Sequence, residues 1–252
     1  MRAVRDQVVA SYATYRAWPL APLGLGVAVA DDFEEAYTNA ASAMSAQRAE
    51  INAQFAEKTG GMECPYCLVS QSATLDHALP KAVFPEFAVL SKNLVPCCDE
   101  CQRGKGSRWK TATGGRRHPH PYYDPAGPVP LLICTLTIGS DGVGTVSYVP
   151  GGGGSTTAGM YGELFRDAGF ETRLASVAGA AWSRFASNTG RLRAKGDVSA
   201  QGVRSRVQDR LDEDPHNFGM HFWRTALWTA ASALNDTDLD RGTAPALAAV
   251  PR

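Results

Sequence analysis

The chain has 252 residues, 25 basic and 25 acidic side chains, and a formal net charge of zero. That length accommodates one large domain or two small ones, and the even charge excludes a protein that grips nucleic acid by bulk positive charge alone, so any phosphate contact must come from a local patch or a partner. Of the six cysteines, five crowd into residues 64–101 as two short clusters, the layout of a metal site in a reducing compartment rather than of a secreted disulfide scaffold.

In chain order, residues 1–17 read as a short helix and are followed by a Pro/Gly loop to about residue 30. Trp18–Ala30 ends in a small-x-small pattern like a signal cleavage site, but Pro19 and Pro22 break its apolar run and Asp6 interrupts the basic region before it. A secretion signal is therefore not expected, no run approaches the roughly 20 apolar residues of a membrane span, and a cytoplasmic protein without membrane partners follows. Asp31 and Asp32 are candidate N-caps for one long helix. Its stripe, Phe33, Tyr37, Ala40, Met44, Ile51 and Phe55, recurs at helical spacing and reads as core packing. Gly60 and Gly61 close it.

From Met62 to about Asp124 the composition shifts to Cys, Pro, His and basic residues with little periodicity. Next, LLICTLTI and GTVSYVP flank Gly139–Gly142, a hairpin signal, and the glycines at 151–154 form a loop. Helical spacing returns over Met160–Asn188 and Val198–Leu211, and Phe218–Leu234 is strongly apolar; Trp182, Trp223 and Trp228 are expected in that helical core. The segments are thus 1–61, 62–125, 126–155 and 156–252. The class is α+β, mainly helical.

Cys64-x2-Cys67 and Cys98-x2-Cys101, thirty residues apart, are two CxxC knuckles. Each delivers two thiolates to one side of an ion, and a pair of knuckles supplies the four soft ligands of a structural Zn²⁺. Cys97-x3-Cys101 is an alternative pairing that the spacing leaves open. Cys134, in an alternating apolar strand, reads as a small core residue.

Between the knuckles lie Asp76-His77, Pro80-Lys81 and Asn93-Leu94-Val95-Pro96. The combination CPYC…LDHALPK…KNLVPCCDEC…K resembles the HNH nuclease family in its two-CxxC, zinc-containing form, over roughly residues 64–105. The resemblance implies a zinc-stapled ββα-metal core with flanking helices, acting as an endonuclease (a phosphodiester hydrolase) on double-stranded DNA. On it, His77 stands at the catalytic histidine, Asp76 at the metal-binding carboxylate, Asn93 at the asparagine that braces the loop, and Lys105 at the lysine after the second knuckle, a catalytic residue that would hold the phosphate. Gln102 stands where the family usually has His or Asn. Mg²⁺ or Mn²⁺ is the implied catalytic ion.

The chemistry has its own logic. A neutral imidazole suits proton abstraction from water near neutral pH, and a carboxylate suits a hard divalent cation. Adjacent residues on a strand point to opposite faces, so Asp76 and His77 need a bulge or twist to serve one site. Gln102 contributes no charge, which makes His120 a candidate to complete the ion's ligands. His118 and His120 lie two apart in the extended RRHPHPYYD stretch, whose HPYYD string resembles a segment of small, defence-associated HNH nucleases. That likeness implies antiviral defence and a partner ATPase or other defence subunit. Between Gln102 and His120 stand six basic residues and no acid. Of these, Arg103, Arg108, Lys110, Arg116 and Arg117, with Lys81, read as a phosphate-tracking strip. A second basic set, Arg184, Arg191, Arg193, Lys195, Arg204, Arg206 and Arg210, could extend it. A zinc-stapled module that binds nucleic acid without cutting it is the alternative.

Overall fold

The structure is a computed structural model that describes residues 2–16, 20–39, 41–59, 61–218 and 222–244. Its described residues form a mainly helical α+β fold with two small antiparallel sheets of two strands each. The chain divides into two compact units, residues 1–125 with 159–168, and residues 126–158 with 169–252. Sequence segments 1–61 and 62–125 fall together in unit 1, and the hairpin segment falls in unit 2 with most of the C-terminal helices. Among the described residues no helix is long and apolar enough to cross a membrane.

Unit 1 contains α1 (Arg2–Thr14), α2 (Val27–Asn39), α3 (Ala41–Thr59), β1 (Thr74–His77), β2 (Leu94–Cys97), α4 (Asp99–Lys105) and most of α5 (Thr156–Asp167). The single long helix expected after Asp31 is two helices on either side of residue 40. The first begins early, because the Gly26 carbonyl accepts from the N–H groups of Val29 and Ala30, both at 3.0 Å. Asp31 and Asp32 therefore lie inside α2 and cap nothing. Of the stripe, Ile51 and Phe55 are buried and Phe33 and Tyr37 half-buried. Residues 17–19, Ala40, Gly60 and the Met44 side chain lie outside the described residues.

β1 and β2 pair antiparallel, with Thr74 opposite Cys97 and His77 opposite Leu94. Every β2 residue is buried, so this hairpin sits inside the unit with α3 against β2 and α4 against β1. The apolar clusters around it are small: Ile51, Leu75 and Leu94 in one, Tyr15, Leu79, Phe84 and Phe87 in the other. At about 1.5–3 kcal/mol per fully buried large side chain, such clusters order a loop-rich segment only with help from polar or metal ties.

Unit 2 is a more conventional apolar assembly. β3 (Leu132–Ile138) and β4 (Gly144–Pro150) form the hairpin that their alternation predicts, turning through Gly142 at φ +80°. Against it pack α6 (Phe170–Ala194), α8 (Trp223–Ser232) and α9 (Asp236–Gly242), with α7 (Ala200–Phe218) against α8 and α9. Trp182, Leu174, Leu227 and Trp228 are buried and Trp223 is half-buried. Gly144 is dictated by contact: a Cβ there would lie 2.2 Å from Nε1 of Trp182. The helix expected over Met160–Asn188 is broken at Gly169, whose φ of +62° is left-handed and ends the helical path between α5 and α6.

Candidate functional site

The four cysteines of the two CxxC pairs converge. Their sulfurs all lie within 4.8 Å of one another, and Cys67 and Cys98 are 3.9 Å apart. A tetrahedral zinc with Zn–S bonds of ~2.3 Å spaces its sulfurs about 3.8 Å apart, so the donor set fits such an ion. Locally, the first knuckle is a tight turn in which the Leu68 N–H donates to the Cys64 carbonyl at 2.8 Å. Leu68 is the one non-glycine residue at positive φ among the described residues, at 54°. The second knuckle uses the strand-to-helix junction, with Cys98 just before α4 and Cys101 buried in its first turn. Cys64, Cys67 and Cys98 crowd Cys101 and hold its thiol well above the usual range. The four thus cannot ionise together without a cation, and they could hold a metal ion such as zinc. Cys97 is buried but outside the cluster, because the strand turns it away from the side that Cys98 faces.

Next to this centre, β1 places Asp76 and His77. The pairing is regular, Asp76 opposite Val95 and His77 opposite Leu94, without the bulge needed to bring both side chains to one site. Asp76 receives the Tyr66 hydroxyl at 3.0 Å and the Lys105 ammonium at 3.1 Å. Lys105 is only 1% exposed and also donates to the His77 carbonyl at 2.8 Å. It is therefore not a phosphate contact, because its charge is enclosed and paired. His77 turns the other way. Its Nε2 lies 2.9 Å from the Ala88 carbonyl, and the Tyr37 ring packs edge-on at 4.5 Å. Burial pushes the His77 imidazole below its ordinary pKa, so the ring is neutral at pH 7. A carbonyl can only accept, so Nε2 carries the proton and Nδ1 keeps its lone pair.

Asn93 holds this arrangement. Its Oδ1 accepts from the Leu79 N–H and the Tyr15 hydroxyl, both at 2.7 Å. Its Nδ2 donates to the carbonyls of Leu79 at 3.0 Å and Phe87 at 3.1 Å. These bonds close the loop between β1 and β2 and so place Ala88 against His77.

The ligands expected beside Asp76 do not assemble. Gln102 donates its amide to the Leu75 carbonyl at 3.0 Å. His120 has both ring nitrogens occupied, with Nε2 at 3.0 Å from the Lys92 carbonyl and 3.1 Å from the Tyr15 hydroxyl, and Nδ1 accepting from the Tyr122 N–H at 3.3 Å. Among the described residues the four cysteines are the one group of three or more His, Cys, Asp or Glu close enough to share an ion. A divalent cation on Asp76, Gln102 and His120 does not fit this geometry, because an ammonium already neutralises the carboxylate.

The basic strip is also changed by what packs on it. Arg116 pairs with Asp124, and Arg108 lies 3.5 Å from Asp167. Arg117 grips Asp167 through two bonds of 2.6 and 2.9 Å and reaches Glu163 at 3.0 Å. His118 contacts the same Asp167 at 2.7 Å. Against the upward push of burial, Arg117 and His118 hold the Asp167 carboxyl down to about 2. Lys81 pairs with Glu34 at 2.6 Å. Arg103 and Lys110 are left exposed without an acidic partner among the described residues, Lys110 lying over Trp109 at 5.1 Å. Beside Ala78 a cavity of about 150 Å³ opens between Arg16, Trp109, Arg116, His118, His120 and Tyr123, room for one small ring. Tyr15 and Asp167 carry no motif, so nothing in the sequence marks them, while Tyr37 is marked only as core packing and Tyr66 only as part of the CPYC string.

No protein-family model and no solved structure matches the chain. A stretch of 67 residues is 37% identical to protein ea31 of Escherichia phage lambda, covering 26% of this chain and 23% of that protein. The match thus spans less than a quarter of ea31.

Metal analysis of the purified chain should find one zinc per chain. Cys98→Ser should lose it and Cys97→Ser should keep it; the opposite pattern would move the site to Cys97. A second expectation concerns acid. Burial drives His120 from 6.5 down to about 4 despite its bond to the Lys92 carbonyl. The unfolded chain therefore takes up this proton first, and stability that is complete above pH 6.5 is lost as pH falls towards 4. The gap corresponds to about 3 kcal/mol. In urea unfolding, His120→Gln should be less stable than wild type at pH 7.5 and lose less between pH 7 and 5, whereas parallel losses would assign the acid sensitivity to other groups.

Proposed function

We propose that unit 1 is an endonuclease module of the HNH type that hydrolyses phosphodiester bonds in double-stranded DNA. The observation that carries the proposal is the path from Asn93 through the braced loop to the Ala88 carbonyl and His77. That path fixes one tautomer of a neutral imidazole and leaves Nδ1 able to accept a proton. The hairpin β1–β2 followed by α4, stapled by the thiol cluster, supplies the ββα frame that the motif implies.

In this mechanism Nδ1 of His77 takes a proton from water, and the oxygen attacks phosphorus as the bond to the leaving 3′ oxygen breaks. The Ala88 carbonyl stabilises the imidazolium that forms, since it already accepts from Nε2–H. The exposed Arg103 and Lys110 contribute positive charge for the DNA backbone. A divalent ion would bring charge to the leaving oxygen, but Asp76 as placed offers it no site, and no step is assigned to it. Asp76 and Lys105 act as positioning residues, because the ammonium ties the carboxylate to the His77 backbone.

The site is closed in this state. The Tyr37 ring packs edge-on against His77, and Glu34 of α2 is tied to Lys81, so a shift of α2 would widen the approach of a phosphate to His77. A closed site suits a defence effector licensed by a partner, an ATPase on the family likeness. The Lys105–Asp76 pair favours a second reading, a zinc-stapled module that binds DNA without cutting it.

In plasmid nicking with Mg²⁺ or Mn²⁺, His77→Ala should lower the rate about 10²–10⁴-fold, the usual worth of a general base. Equal cutting by both proteins would falsify the assignment. Absence of Mn²⁺ binding by calorimetry, with DNA affinity intact and no nicking by wild type, would establish the second reading. Tyr37→Ala, if it melts like wild type, should nick faster; an unchanged rate would mean that α2 does not gate the site.

A further inference from the structure

Unit 2 carries a groove of about 510 Å³ walled by α6, α7 and α8, within the size range of small-ligand sites. Four arginines line it, Arg184, Arg206, Arg210 and Arg224, together with Trp223 and Trp228. No carboxylate is among the described residues of its wall. Elsewhere on unit 2 three arginines are matched: Arg193 with Asp240, Arg204 with Asp236, Arg241 with Asp238. In the groove Arg210 pairs with Glu213 at 3.0 Å. Arg184 and Arg206 make no ion pair among the described residues.

Two donors in the wall are left without acceptors. Nε of Arg206 and Nε1 of Trp228 are buried and lack a hydrogen-bond partner, although Trp228 is only 3% exposed and packs against Phe185 at 5.2 Å. A buried donor without a partner is destabilising, so these two side chains gain if they turn towards an acceptor held in the groove. Guanidinium groups match phosphate oxygens in a planar, two-pronged geometry. The half-exposed indole of Trp223 offers a face for a flat ring. A carboxylate-bearing peptide would satisfy the arginines but leave the indole unused.

We propose that this groove binds a nucleotide, its phosphates on Arg184, Arg206 and Arg210 and its base against Trp223. The site belongs to unit 2 and stands whether or not unit 1 cuts DNA. A nucleotide of a single strand and a free nucleotide share this chemistry.

The test uses the full chain in a His77→Ala background, with anisotropy of a fluorescein-labelled oligo-dT as the readout. The double change Arg184→Ala with Arg210→Ala should weaken binding at least tenfold without lowering the melting temperature. It should also reduce the slope of log affinity against log salt by about 1.4, from roughly 0.7 for each lost phosphate contact on a single strand. Trp223→Ala should weaken binding and leave that slope unchanged, and Arg5→Ala on α1 should have no effect. Displacement by dTMP or ATP, lost in the same variants, would assign the groove to free nucleotides; displacement by unlabelled oligo-dT alone would assign it to a strand. Either result supports the site. Wild-type affinity and slope in the double variant, no binding of any nucleotide, or equal displacement by poly-glutamate would overturn it.

Discussion

One buried amide holds the polar half of unit 1 together. Asn93 is fully enclosed, and its side chain makes four hydrogen bonds, two accepted and two donated. They tie together Tyr15 just past α1, the start of the β1–β2 loop and the carbonyl of Phe87. That loop buries Leu79, Phe84 and Phe87, and the amide adds the polar ties that fix its backbone. Without the amide, several buried backbone groups would lose their partners at about 1–3 kcal/mol each. The orientation of His77 depends on the same loop through the neighbouring Ala88 carbonyl.

The second organising feature is charge that neutralises itself inside the protein. Lys105 and Asp76 form an enclosed pair whose attraction is offset by the cost of removing both from water. Its importance is positional rather than energetic. The pair connects α4 to the backbone of β1, and it puts an ammonium where a cation bound to Asp76 would otherwise lie. The thiol cluster secures the other end of α4, so the helix is held by polar chemistry at both ends.

Neutralisation also explains which basic residues remain available. Along the chain Arg108, Arg116 and Arg117 stand in an acid-free run, yet folding brings Asp124, Glu163 and Asp167 onto them. Arg117 and Asp167 are fifty residues apart, and no local pattern links them. In unit 2 the same packing matches Arg193 and Arg204 but, among the described residues, leaves Arg184 and Arg206 without an acid. Of the dense basic run, Arg103 and Lys110 therefore stay open to a phosphate, and further positive charge survives in unit 2.

By itself the sequence determined whatever depends on spacing within a turn or two: the paired CxxC knuckles, the Gly139–Gly142 hairpin and the helical C-terminal stretches. Local backbone geometry sets those features, so residue type and interval suffice. Helix ends were less legible, because a single backbone carbonyl at Gly26 and a left-handed Gly169 moved them. Tertiary structure alone decided that Cys98 rather than Cys97 joins the sulfur cluster, that Asp76 faces Lys105 while His77 faces Ala88, and that His120 is occupied by Tyr15, Lys92 and Tyr122. Each of those outcomes turns on which face of an element meets a partner far away in the chain, and packing selects that partner.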